Sequence, residues 1–289
     1  MKSTKAKLLL AMVRPANSVM VGSAVIVGIA VTTHSYLEIF SLTSLSGFLT
    51  GFLISAFSMV SNDIYDVEID KINQPERPLP SALVSMSEAK VFSVFLLVSG
   101  LIVSGFLGTY TFIIALVFAF VGWFYNFRGK AMGLVGNSLV ALSLAIPYIY
   151  GSIALGFFAI NLGYLLALTS FFAGLGREVL KGIVDVEGDR VRKIRTIAIS
   201  HGKQAARLVA AGFFIVAVAS SILPIFFGLL GRSLIVYSVL IGITDALFVY
   251  LAYRVLTSST DKDALRFKTI ALGGMMFGLI SYLVSGLVA

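Results

Sequence analysis

Apolar runs of membrane-spanning length follow one another along almost the whole of this 289-residue chain, and they constrain its fold before any motif is read. Nine can be counted, at about 15–34, 40–61, 90–108, 110–126, 134–154, 159–181, 205–230, 232–254 and 268–288. A helix needs about 20 residues to cross roughly 30 Å of hydrocarbon. In lipid every backbone N–H and C=O must be satisfied within the structure, so such runs are helices. A chain with 58% hydrophobic residues, 12% charged residues and a mean hydropathy of +0.98 is no ordinary soluble domain. The expected fold is an all-α integral membrane protein with nine transmembrane helices in one bundle. No linker or low-complexity tract interrupts it, so residues 1–289 read as a single transmembrane domain. The basic start leads at Arg14-Pro15 into an apolar run of spanning length, unlike the short core of a cleaved signal.

The cations give the orientation. On the nine-helix reading, all but one of the 22 Lys and Arg residues fall on one side of the membrane; only Arg232 lies opposite. They are Lys2, Lys5, Lys7 and Arg14 at the N-terminus; Lys71, Arg77 and Lys90 after the second helix; and Arg128 and Lys130 after the fourth. Arg177, Lys181, Arg190, Arg192, Lys193, Arg195, Lys203 and Arg207 surround the loop after the sixth, and Arg254, Lys262, Arg266 and Lys268 follow the eighth. The positive-inside rule makes this side cytoplasmic, which puts the N-terminus inside and the C-terminus outside. The net charge of +8 is matched by an anionic leaflet and anionic substrates and calls for no nucleic acid. With no cysteine in the chain, disulfides and thiolate metal sites are excluded.

Against this background one acidic phrase occurs twice, as Asp66-Val67-Glu68-Ile69-Asp70 and Asp185-Val186-Glu187-Gly188-Asp189. The two copies hold six of the 14 acidic residues, and each opens a basic loop on the cytoplasmic side. The simplest account is a parallel duplication, four helices in each half with a ninth appended, since parallel repeats place equivalent loops on one face. Asn62, Asp66 and Asp70 are spaced i, i+4, i+8 and lie along one helical stripe. Asp185 and Asp189 repeat the spacing, whereas Glu68 and Glu187 fall off it. Oxygen ligands of this kind suit Mg²⁺, which takes one or two carboxylates and completes its shell with water and phosphate. Carboxylates facing one cavity without a cation would repel one another. The competing reading is a set of solvated loop charges, with Lys181–Asp185 an i, i+4 salt bridge.

Asn62-Asp63-x-x-Asp66-x-x-x-Asp70, followed by Arg77-Pro78, resembles the first aspartate-rich motif of the UbiA superfamily of intramembrane prenyltransferases. Gly176-Arg177-Glu178-Val179-Leu180-Lys181 leading into Asp185-Val186-Glu187-Gly188-Asp189-Arg190 resembles its second. Gly133-Leu134-Val135-Gly136-Asn137, with Pro147 and Tyr150-Gly151 beyond it, and Arg14-Pro15-x-Asn17 are similar to further family segments, so the resemblance spans essentially the whole chain. It implies an isoprenyl diphosphate donor, with two Mg²⁺ ions on Asn62, Asp66, Asp70, Asp185 and Asp189. Catalysis would fall to Asp66, Asp70, Asp185, Asp189 and Lys181, with Arg77 and Lys181 on the departing diphosphate. The motif wording is most similar to an archaeal branch. That likeness implies transfer of a geranylgeranyl group to the free hydroxyl of geranylgeranylglyceryl phosphate, giving the second ether bond of archaeal membrane lipids. A lipid phosphate acceptor would need cations of its own, and Arg14, Arg128 and Lys130 stand on the correct face, with Asn17 and Tyr125 nearby. Two departures from the family pattern stand out. Gly182 occupies a position where relatives often carry Asp, and Tyr125 and Lys130 are five apart where Tyr-x-x-x-Lys is common.

Two other functions remain open: prenyl transfer to an aromatic acceptor in quinone biosynthesis, and cation-coupled transport. A transporter site would lie near the midplane on broken helices, whereas these carboxylates cluster at the cytoplasmic edge. Asp245 falls within the eighth run, either lining the chamber or hydrogen-bonded to a neighbouring helix. His34 in an outer loop and His201 in a cytoplasmic loop lack metal-like companions. Trp123 and Tyr125 fit an interfacial belt.

Overall fold

Thirteen α-helices run through the residues described by this computed structural model, 4–191, 194–258 and 260–288. They are α1 (Lys5–Met12), α2 (Pro15–Thr33), α3 (Leu42–Asn73), α4 (Met86–Leu107), α5 (Thr109–Phe127), α6 (Leu134–Ala154) and α7 (Leu162–Val184). The short α8 (Val186–Val191) and α9 (Ile197–Ser200) precede α10 (Gly202–Ser221), α11 (Leu223–Phe226), α12 (Leu234–Thr257) and α13 (Asp261–Val288). Lys2, Arg192 and Lys193 of the basic segments lie outside the described residues. Eight helical segments are long and apolar enough to cross a membrane: α2, α3, α4, α5, α6, α10–α11, α12 and α13. The chain is thus an all-α, multi-pass membrane bundle. The ninth expected run also forms a helix, the 23-residue α7, but the charged residues Arg177, Glu178 and Lys181 at its end keep it outside that set.

Local sequence explains most helix ends. Ser41 caps α3, its Oγ accepting from the Ser44 N–H at 3.1 Å. Ser85 and Glu88 form a reciprocal capping box at the start of α4. Asn161 Oδ1 accepts from the Gly163 N–H at 2.8 Å to open α7. The largest difference from the expected limits is at α3, which continues to Asn73 rather than ending near 61. Nothing between those positions breaks a helix, and Pro75 follows its Gln74 cap. The first acidic phrase therefore rides on the helix itself. The second straddles a break: Asp185 terminates α7 and Asp189 lies in α8, although the Asp189 N–H still donates to the Asp185 carbonyl at 2.8 Å.

Three apolar clusters hold the bundle. One joins α1 to α5 through residues such as Met12, Val25, Ile54, Val60 and Ala119. A second joins α7, α10, α12 and α13 around Phe214, Phe248 and Leu251. The third ties the two groups across α2, α6 and α7, with Tyr237 and Tyr282 stacked edge-on at 5.3 Å. Lipid offers no hydrophobic drive to join helices, so packing rests on close backbone approach through small residues. A Cβ at Gly28 would meet the Tyr148 carbonyl oxygen at 2.5 Å, and one at Gly151 would meet the Val25 carbonyl oxygen at 2.5 Å. Hence α2 and α6 touch backbone to backbone.

Candidate active site

The last turns of α3 carry the first motif, and its polar side chains are paired rather than left to solvent. Asp63 is buried, its carboxylate only 6% exposed, and its Oδ1 accepts from Arg14 Nη2 at 2.8 Å with Arg77 Nη1 at 3.5 Å. Arg77 also donates to Asp70 Oδ2 at 2.7 Å. Arg14 makes a further hydrogen bond to Asn62 Oδ1 at 3.1 Å. Asn62 Nδ2 in turn donates to Asn126 Oδ1 at 3.1 Å, and Asn126 Nδ2 to the Ser58 carbonyl at 2.9 Å. Lys130 Nζ donates to Asp66 Oδ2 at 2.6 Å and lies 5.9 Å from the Tyr125 ring centroid, within cation–π range. The five-residue separation of Tyr125 and Lys130 thus still brings them together, because the chain leaves α5 through a short 3₁₀ turn, Gly129–Ala131.

Backbone geometry fixes two of these cations. Arg14 sits in the left-handed region (φ +48°) between α1 and α2, a conformation uncommon outside glycine and found where structure is over-determined. It directs the guanidinium onto Asn62 and Asp63. Arg77 is held by the folded loop after α3, where its amide donates to the Gln74 carbonyl and its carbonyl accepts from Ser81.

The second motif repeats the pattern of a buried carboxylate holding two cations. Glu178 accepts from Arg177 Nη1 at 2.9 Å and faces Lys181 Nζ at 3.6 Å. Asp185 and Asp189 are half-buried, Lys181 is exposed, and Gly182 is buried. The loop between α5 and α6 meets the segment after the second motif through backbone. Gly133 (φ +58°) packs so tightly that a Cβ there would fall 2.1 Å from the Arg195 carbonyl oxygen, and the Arg195 N–H points to the Ala131 carbonyl at 3.5 Å. The loop bearing Lys130, partner of Asp66, is therefore seated against the loop that follows Asp189.

Among the described residues no group of three or more His, Cys, Asp or Glu side chains is gathered closely enough to hold a metal by itself. The chemistry of the donor set nonetheless fits Mg²⁺. Asn62, Asp66 and Asp70 present oxygen along one stripe of α3, and the ion pairs on Asp66 and Asp70 each engage Oδ2 alone. Arg128 and Asn17 are exposed and make no hydrogen bond or ion pair with this cluster among the described residues. Glu68 turns outward to Lys71 at 2.7 Å. Asp63, Asn126 and Glu178 join the site beyond the residues expected from sequence; for Asp63 and Glu178 the available signal is their place inside the two acidic motifs. Asn126 carried none.

The remaining singled-out residues lie elsewhere. Asp245 accepts from Ser221 Oγ of α10 at 2.8 Å and borders a small cavity of about 30 Å³ between α7, α10, α12 and α13. His34 Nδ1 is 2.9 Å from the Gly286 carbonyl, tying the end of α2 to α13. The exposed His201 is 3.0 Å from Ser200 Oγ. Trp123 Nε1 donates to Tyr65 OH at 2.9 Å.

These features have counterparts among known proteins. The sequence profile of the UbiA prenyltransferase family matches residues 21–279. Digeranylgeranylglyceryl phosphate synthase of Thermococcus kodakarensis is 34% identical over 276 residues, 95% of this chain and 96% of that one. The same enzyme of Archaeoglobus fulgidus is 30% identical over 274 residues, 94% and 92% of the two chains. A structure solved in work on digeranylgeranylglyceryl phosphate synthase in membranes superposes with a TM-score of 0.89 at 30% identity, over 99% of both chains. A UbiA homologue from Archaeoglobus fulgidus bound to GPP and Mg²⁺ shares the fold at a TM-score of 0.66 and 17% identity, over 95% of this chain and 99% of that one. Helical bundle, paired motifs and near-full-length identity all agree: the chain belongs to the UbiA prenyltransferase family.

Proposed function

We propose that this prenyltransferase moves a geranylgeranyl group from its diphosphate to the free hydroxyl of geranylgeranylglyceryl phosphate, with Mg²⁺ as its metal. The observation that carries this reading is the near-full-length identity to archaeal enzymes of that name. Two ions fit the two carboxylate sets: Asn62, Asp66 and Asp70 would hold one, Asp185 and Asp189 the other. Bound Mg²⁺ supplies charge neutralisation for the departing diphosphate. The chain's own groups do the rest. Arg77, Lys130 and Lys181 turn from their carboxylate partners toward diphosphate oxygens, stabilising charge as the allylic carbon–oxygen bond breaks. Arg14 is positioned for the acceptor phosphate, with Arg128, Asn17 and Tyr125 at the same rim. The apolar bundle keeps water from the carbocation-like carbon, leaving the lipid hydroxyl to attack it, its proton passing to the departing diphosphate.

The same reading makes 1–289 one domain with nine crossings. Among the described residues, α7 is packed between α6, α10 and α13. Its crossing returns the chain to the side where Gly133 meets Arg195. The positive-inside rule then makes the motif side cytoplasmic, the N-terminus inside and the C-terminus outside. The matching pairs Arg14–Asp63–Arg77 and Arg177–Glu178–Lys181 support duplicated four-helix halves with α13 as the appended ninth.

The test is an acceptor comparison. Purified protein with geranylgeranyl diphosphate and Mg²⁺ should alkylate geranylgeranylglyceryl phosphate; transfer only to an aromatic acid would overturn the lipid assignment. Asp66→Asn and Asp185→Asn should each lower turnover by about 1,000-fold while the protein stays folded, and full activity in both would overturn the two-cluster mechanism.

A further inference from the structure

Three buried side-chain polar atoms have no hydrogen-bond partner among the described residues: Arg177 Nε, Thr196 Oγ1 and Ser285 Oγ. Two of the three flank the second acidic motif. Buried polar groups in folded proteins are overwhelmingly paired, so an orphan calls for a specific explanation. For Thr196 the usual one fails. It occupies the N-cap position of α9 with extended backbone (φ −69°, ψ 160°), where a threonine hydroxyl ordinarily accepts from the first turn. No such bond is made. The amides of Ile199 and Ser200 donate to the Thr196 carbonyl instead, and so does Ser200 Oγ, at 2.7 Å. The Thr196 hydroxyl is left uncommitted in a residue only 6% exposed.

Thr196 lies against Gly182 of α7. A Cβ built there would stand 3.5 Å from both Thr196 Cβ and Cγ2 and 3.9 Å from Oγ1, so Thr196 packs directly on α7 beside the second motif. Gly182 precedes Asp185 by three residues on α7 and shares its face. The backbone just before Thr196 has little freedom, because the Arg195 carbonyl is pressed against Gly133 in the loop that carries Lys130. The hydroxyl is therefore held in place between the Lys130 loop and α7 rather than free to seek another partner.

We propose that Thr196 is a substrate-binding residue whose hydroxyl donates to a phosphate oxygen of the bound diphosphate at the second motif. The other orphan in the second motif, Arg177 Nε, is a donor with no acceptor capacity, and a hydroxyl can donate as well, so phosphate oxygens would satisfy both. The proposal rests on the prenyl-diphosphate reading above and extends it to a residue outside the acidic phrases.

Isothermal titration of the purified full-length protein in lipid discs tests it, with Mg²⁺ present and two probes: geranylgeranyl diphosphate and inorganic pyrophosphate. Thr196→Val keeps shape and deletes the hydroxyl; Thr196→Ser keeps the hydroxyl. The valine variant should bind both probes about tenfold more weakly, with the serine variant within about twofold of wild type, as loss of one hydrogen bond to a charged group predicts. Its melting temperature should be unchanged or raised, since an unpaired buried hydroxyl is replaced by a methyl group. Wild-type affinity for both probes in Thr196→Val would overturn the proposal. So would weakened donor binding with unchanged pyrophosphate binding, which would put Thr196 on the prenyl chain. Wild-type protein that binds neither probe would overturn the prenyl-transfer reading itself.

Discussion

A carboxylate carries a charge that must be met within the fold, and at Asp66, proposed above as a metal ligand, that charge is met by Lys130 at 2.6 Å. Both side chains are about three-quarters covered, so each would be costly to leave alone. Lysine suits this role because its ammonium is a compact charge on a flexible stem that can exchange one anionic partner for another. Lys130→Met should therefore lower kcat/KM for the isoprenyl diphosphate by about 100-fold, the scale of losing one electrostatic contact to a developing anion. Lys130→Arg should recover part of that loss, and steady-state kinetics with the donor varied at saturating acceptor would read both. An unchanged kcat/KM in Lys130→Met would separate this ion pair from the reaction. Spacing alone could place Asp66 and Asp70 on one stripe. It could not show that Asp63, one step off that stripe, is the residue that Arg14 and Arg77 both address. That arrangement depends on Arg14 entering α2 in a left-handed conformation and on the loop after α3 folding back. Neither is encoded in a helical period.

At the scale of elements, the apolar runs located the helices because hydropathy and spanning length are the same physical requirement. The run at 134–154 coincides with α6. What hydropathy could not locate were ends set outside the lipid, where the cost of exposing polar groups vanishes and only breakers and caps decide. Thus α3 runs on to Asn73 through charged residues, and the N-terminal segment contributes a short α1 that buries Met12. The contacts between helices were also illegible, since they depend on which glycine faces which backbone. Gly151 and Gly212 are equivalent in the sequence, yet a Cβ at Gly151 would meet Val25 and Ile29 backbone atoms at 2.5 and 2.7 Å, whereas one at Gly212 meets nothing within 4 Å. Gly151→Ala should destabilise the bundle by about 2 kcal/mol, because backbone cannot move aside cheaply. Gly212→Ala should be neutral or stabilising by up to about 1 kcal/mol, as expected for an open helical position. Thermal unfolding of the two variants in one detergent checks the contrast, and equal melting temperatures would refute the close packing of α6 on α2.

For the molecule as a whole, the membrane topology turns on α7, whose 23 residues form, among the described residues, the one long helix outside the set of eight apolar spans. Its polar end carries the second motif, so the charges that lower its hydropathy belong to the proposed site. If α7 crosses, the exposed Ala159 before it and the exposed His201 beyond it lie on opposite faces, and His201 shares a face with Ser81 of the loop after α3. If it does not cross, Ala159 and His201 lie together and the two acidic phrases are separated by the bilayer. The second arrangement conflicts with the seating of Gly133 on Arg195. The absence of native cysteine makes the question directly measurable with Ser81→Cys, Ala159→Cys and His201→Cys, each the sole thiol in its variant. In intact cells a membrane-impermeant maleimide should label Ala159→Cys and leave Ser81→Cys and His201→Cys unmodified until the cells are opened. Labelling of His201→Cys together with Ala159→Cys in intact cells would remove α7 from the membrane. It would also break the single two-motif site on which the proposed chemistry depends.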